Sequence, residues 1–115
     1  MISDGRIVLF RFPQMDQTPG KLRPALVIRR VPGPYDDWLT CMLSSRLDQA
    51  VPNFDEIIAP SDSDFAESGL RDPSVIRLGI LVTTNRQNMM GELGQIGKAR
   101  LERLRENLSR WIQNQ

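Results

Sequence analysis

Lys21-Leu22-Arg23-Pro24-Ala25-Leu26-Val27-Ile28 is the stretch on which the fold turns. A basic segment after Pro19-Gly20 stops at a proline, and an apolar run follows at once. Pro24 confines Arg23 to extended backbone, because the proline ring clashes with a helical neighbour. Proline also lacks an amide donor, so it suits the first residue of a strand. Ala25 to Arg30 therefore reads as a strand, with Arg23 at its lip and its guanidinium free to face a groove. A guanidinium is always charged and presents a planar fork of donors, a geometry that grips phosphate. The same pattern also serves as plain strand initiation, so Arg23 alone leaves both readings open.

Working outward, Ile7 to Phe12 alternates as a strand, with Ile7 and Leu9 on one face and Val8, Phe10 and Phe12 on the other. Pro13 ends it, and residues 14 to 21 form a polar loop. Val31 to Asp37 is a second loop around Pro32-Gly33-Pro34, and Trp38 to Ser44 is a third strand. Phe54 to Ala59 is a short strand. Ser61-Asp62-Ser63-Asp64 reads as the cap of one helical turn through Ala66, broken by Gly69. Ser74 to Leu78 and Leu81 to Thr84 are strand material, with Gly79 marking a bulge. Asn88 to Ile96 supplies a last short strand.

Lys98 to Gln113 is the clearest helix. Leu101, Leu104, Leu108, Trp111 and Ile112 recur at three- and four-residue spacing and predict one apolar face packed on the sheet. Arg100, Arg103 and Arg110 lie mostly off that face. Many short strands with Gly/Pro turns and a closing helix argue for a mainly β fold with some α (α+β), a small barrel of bent antiparallel strands.

Composition narrows the chemistry. The 115 residues suit one domain, 1–115, with 25% charged and 40% hydrophobic residues. No run approaches the ~20 apolar residues of a membrane span. The N-terminus has neither the basic start nor the apolar core of a signal peptide. Cys41 is the single cysteine and reads as a core residue, so cytoplasm is the expected compartment. Net charge is only +1, so a nucleic-acid site must come from local arrangement. The charges are segregated: five basic residues between Lys98 and Arg110, five acidic ones between Asp55 and Glu67. A charged stretch of the latter kind usually reads as solvated surface. There is no histidine, which removes Ser-His and Cys-His nucleophilic pairs, a histidine general base and the usual Cys/His zinc sites.

The blocks Gly5-Arg6-Ile7-Val8-Leu9-Phe10-Arg11-Phe12-Pro13, Arg23-Pro24-Ala25-Leu26-Val27-Ile28, Leu43-Ser44-Ser45-Arg46, Ser74-Val75-Ile76-Arg77 and Gly94-Gln95-Ile96-Gly97, in that order before a terminal helix, give the chain its signature. It resembles the MazF/PemK family of toxin ribonucleases from bacterial toxin–antitoxin pairs. The resemblance spans roughly residues 5 to 113, and the Arg23-Pro24 block is its most specific part. It implies an SH3-like barrel with helices, assembled as a homodimer. It also implies cleavage of single-stranded RNA without a metal or other cofactor, by attack of the 2′-hydroxyl, and inhibition by a cognate antitoxin protein.

On that resemblance Arg23 matches the family's catalytic arginine, and Ser44 falls where the family usually has a catalytic threonine. Ser45 is the neighbouring candidate if the match is displaced by one residue. Arg77 matches a phosphate-binding arginine of one family branch, and Lys21 joins it, with Ser45, as a substrate-binding candidate. Two positions beyond the arginine that branch carries an aspartate, whereas this chain has Gly79. Asp72, Asp55 and Glu56 are the carboxylates available to replace it. The glycine motivates a second reading, a relative that binds RNA or antitoxin and cleaves nothing. A proline-peptide module of the SH3 type is a third reading, weakened by only 6% scattered aromatics. Tyr35 and Trp38 either stack on unpaired bases or cap the barrel.

Overall fold

The computed structural model describes residues 2–11 and 21–114. Six strands form one antiparallel sheet: β1 (Arg6–Arg11), β2 (Leu22–Arg30), β3 (Asp37–Ser44), β4 (Glu56–Ile58), β5 (Ser74–Asn85) and β6 (Gly91–Gln95). Their spatial order is β4-β5-β3-β2-β1-β6. One helical turn, α1 (Phe65–Ser68), and a long C-terminal helix, α2 (Lys98–Asn114), complete the fold. The sheet curls into a half-barrel, as expected of an SH3-like arrangement. Register shifts at Ile7/Val8, Val27/Arg29 and Cys41/Met42 help it bend, since each extra residue kinks its strand and increases local twist. The expected bulge at Gly79 lies within one continuous β5: Cys41 pairs Leu81 and Met42 pairs Arg77, leaving residues 78–80 without β3 partners.

Alternation divides the sheet's side chains into two cores. On the α2 side Ile7, Leu26, Ile28, Cys41, Leu43, Ile76 and Leu78 pack against Leu101, Leu104 and Leu108. The opposite face carries Val8, Phe10, Ala25, Val27 and Trp38, closed by Ile2 and Met89. Thr40 is buried on that face and donates its hydroxyl to the Val82 carbonyl at 2.8 Å, so its burial leaves no unsatisfied group.

Several expectations change in detail. β2 begins at Leu22 rather than Ala25, because β1 continues to pair with it as far as Leu22↔Arg11. Arg23 therefore lies inside the strand, opposite Phe10. Pro24 is tolerated there because the β3 ladder ends at Ala25↔Met42 and makes no pair with it. β4 is only three residues long, because a turn through Asn53, with φ +62°, carries Phe54 and Asp55. Phe12 and the loop to Gly20 lie outside the described residues.

The helix departs most from its pattern. Trp111 and Ile112 are 46% and 67% exposed, because they lie toward the end of α2 beyond the buried leucines. Trp111 instead meets Phe54 edge-to-face at 5.5 Å. Arg100, expected off the apolar face, is buried among carboxylates of Glu56, Asp62 and Asp64. Asp64 precedes α1 but makes no side-chain cap to it. Its carboxylate accepts from Gly97 N at 2.9 Å and Arg100 Nε at 2.8 Å. Arg103 adds a contact to Glu56 at 2.9 Å. Much of the acidic stretch is thus the counter-charge of α2 rather than solvated surface. No helix is long and apolar enough to cross a membrane among the described residues.

Candidate functional site

Three strands bring Arg23, Ser44 and Arg77 to one region of the sheet face opposite α2. Arg23 lies two residues along β2 from Ala25, Ala25 pairs with Met42, and Met42 pairs with Arg77. Ser44 is two residues beyond Met42, on the same side by alternation, and pairs with Val75. The β2–β3 ladder ends at Ala25↔Met42, two residues short of both Arg23 and Ser44, which alternation leaves on one face. β2 and β5 flank β3, so the backbones of Arg23 and Arg77 are roughly 12 Å apart, two strand spacings across and two residues along.

The three side chains differ in commitment. Arg23 is exposed and has no hydrogen bond or ion pair with another described residue. Ser44 is half-buried, and its Oγ accepts from Arg46 N at 3.1 Å. A hydroxyl also carries one donor, which remains to be offered to an oxygen on the open face. Arg77 is held from the protein side. Its Nε lies 3.4 Å from Asp55 Oδ2, and its NH1 donates to Gln49 Oε1 at 2.9 Å.

The other candidates are looser. Lys21 is exposed immediately before β2. Ser45 is exposed in the bend after β3, where strand alternation no longer dictates its direction. Arg46 next to it is turned to Asp48 at 3.2 Å. Trp38 is buried and donates Nε1–H to Asp36 at 2.8 Å, so it belongs to the core, while Tyr35 stands 70% exposed.

Of the three carboxylates offered in place of one at Gly79, Asp55 is the one that reaches Arg77. Glu56 is taken by Arg100 and Arg103. Asp72 is exposed and accepts from Ser74 Oγ through its main-chain carbonyl. Gln49 was not legible beforehand; it sits on a 3-10 turn, Leu47–Gln49, whose position depends on how the chain leaves β3. Among the described residues no three carboxylate or thiol side chains converge as a metal site. Cys41 is fully buried, and desolvation, then the charge of Asp55, push its thiol well above the ordinary range. It has no nucleophilic part to play at that burial.

The model of the PemK-like, MazF-like toxins of type II toxin–antitoxin systems matches residues 3–112. The chain belongs to this toxin family. Solved structures agree on the fold. The Mycobacterium tuberculosis toxin MazF-mt6 superposes with a TM-score of 0.67 at 16% identity, over 93% of this chain and 95% of that one. An endoribonuclease solved with its cognate antitoxin from a mycobacterial species gives 0.67 at 13% identity, over 100% and 98%. MazF in the MazE–MazF complex of Deinococcus radiodurans gives 0.64 at 18% identity, over 97% and 95%. Among curated proteins none matches the chain in sequence. In this MazF/PemK-type toxin, Arg23, Ser44 and Arg77 lie on the sheet face opposite α2.

Proposed function

We propose that this toxin is an endoribonuclease that cleaves single-stranded RNA without a metal. The 2′-hydroxyl beside the scissile phosphate attacks in line, leaving a 2′,3′-cyclic phosphate and a 5′-hydroxyl. Arg23 is the catalytic residue that stabilises charge gathering on the phosphorane, and Ser44 donates to a non-bridging oxygen. Arg77 and Lys21 hold the phosphate chain, with Ser45 at the margin. The observation that supports this reading is an exposed Arg23, without a hydrogen bond or ion pair to another described residue, on the same sheet face as Ser44.

The protein acts in the cytoplasm as a homodimer, with RNA lying in a groove between subunits. A cognate antitoxin restrains it by laying an extended acidic segment over the same basic surface. Arg23→Ala tests the core of the reading: it should reduce RNA cleavage by on the order of 10²–10³-fold while the fold persists. Full activity in that variant would remove Arg23 from the mechanism. Salt-dependent RNA binding without product from the wild type would favour the binding-module reading that Gly79 motivates.

A further inference from the structure

We propose that Asp55 is a positioning residue for Arg77, holding its guanidinium in the phosphate-binding patch in place of a carboxylate at position 79. The proposal rests on the ribonuclease reading and adds a residue to that site.

Asp55 is fixed before Arg77 reaches it. Its side chain is 1% exposed. Oδ1 accepts from Leu78 N at 2.9 Å, and Oδ2 accepts from Val51 N at 2.9 Å. Leu78 is the first residue of the β5 bulge, so its amide has no β3 partner and the carboxylate takes the vacant place. Two main-chain donors on different segments pin the carboxylate, and a pinned anion dictates where its cation sits.

Arg77 shows the complementary pattern. Its Nε is buried and lies 3.4 Å from Asp55 Oδ2, yet it makes no well-aligned hydrogen bond. The contact is one of charge rather than of direction. It anchors the guanidinium while letting it tilt. NH1 is held by Gln49, a neutral and exposed side chain. A phosphate oxygen is a stronger acceptor for a guanidinium than a neutral amide. RNA therefore displaces Gln49, while Asp55 stays behind Arg77 and keeps it aimed. Gly79 has no need of a carboxylate under this arrangement.

A double-mutant cycle in RNA cleavage, with Asp55→Asn, Arg77→Ala and the pair, tests the proposal at a temperature where circular dichroism shows each variant folded. Asp55→Asn should lower kcat tenfold or more with a smaller change in KM, since a misaimed group costs about 10²-fold at the limit. In the Arg77→Ala background the same change should cost little, because Asp55 acts through Arg77. An equal loss in both backgrounds would overturn the proposal and make Asp55 a fold residue only. Nitrogen-15 NMR of the wild type gives a readout independent of activity and of variant folding. A sharp, slowly exchanging Arg77 Nε–H signal supports the anchor; a mobile, averaged one overturns it. Should the wild type leave RNA intact, the ribonuclease reading fails, and the NMR result still decides whether Asp55 fixes Arg77.

Discussion

Asp64 and Arg100 face each other across the joint between α1 and α2, with Nε–Oδ2 at 2.8 Å and NH2–Oδ1 at 3.1 Å. The two parallel contacts are the bidentate form in which a guanidinium and a carboxylate bind most firmly. Arg100 also contacts Glu56 at 2.9 Å and Asp62 at 3.3 Å, so one buried cation ties the start of α2 to β4 and to the turn before α1. Removing it leaves three carboxylates around an empty site. Arg100→Ala should therefore destabilise the fold by on the order of 3 kcal/mol, measured by urea unfolding.

The same contact sets an acid limit. The Arg100 guanidinium, helped by the Gly97 amide against the desolvation cost, holds the Asp64 carboxyl below the ordinary carboxylate range. A depressed carboxyl contributes stability that is present above its unfolded pKa, about 3.9. That stability is lost as pH falls through the lower folded value. The wild type should thus lose stability below about pH 4. Asp64→Asn should lower stability at neutral pH and flatten that acid dependence. An unchanged acid slope in the variant would place the titration elsewhere.

Two glycines make opposite predictions. A Cβ on Gly94 would stand 2.0 Å from the Glu67 carbonyl oxygen, a main-chain clash that only backbone movement relieves. Gly94→Ala should cost about 2 kcal/mol or more. A Cβ on Gly79 meets only Phe54 Cε2, at 3.8 Å. Gly79→Ala should change thermal stability little, and a large loss there would mean that the bulge needs glycine for its backbone.

Cys41 should be inert in the folded protein. Its burial keeps reagents out and keeps the thiol protonated. A thiol-specific reagent at pH 8 should label none of it until denaturant is added. Rapid native labelling would show that β3 opens.

Ser44 and Ser45 separate by position. Ser44→Ala should lower cleavage by about 10²-fold, the usual cost of one donor to a reacting oxygen. Ser45→Ala, altered in the exposed bend, should cost much less. The reverse order would move the catalytic hydroxyl to position 45.

How much of this was legible follows from the range of each interaction. Alternation in Ile7–Phe10 is local, and it correctly put Ile7 on one face and Val8 and Phe10 on the other. The three- and four-residue spacing of Leu101, Leu104 and Leu108 likewise marked the buried stripe of α2. It overran at Trp111 and Ile112 because periodicity carries no information about where the supporting sheet ends. Asp64 looked like a cap because Asp often caps. Its partner Arg100 is 36 residues away, and a long-range guanidinium outcompetes a local amide. At the candidate site, Arg23, Ser44 and Arg77 came from family resemblance, and strand pairing brings them to one face. Asp55 was one of three possible carboxylates, and only the turn at Asn53 and the β5 bulge single it out. Gln49 gave no signal at all.

The most direct test of the account is the chemistry of the RNA ends. Long single-stranded RNA and total cellular RNA, incubated with the purified toxin in excess chelator, should yield fragments with 2′,3′-cyclic phosphate and 5′-hydroxyl ends by mass spectrometry. Fragments bearing 3′-hydroxyl and 5′-phosphate ends, or intact RNA in both samples, would contradict it.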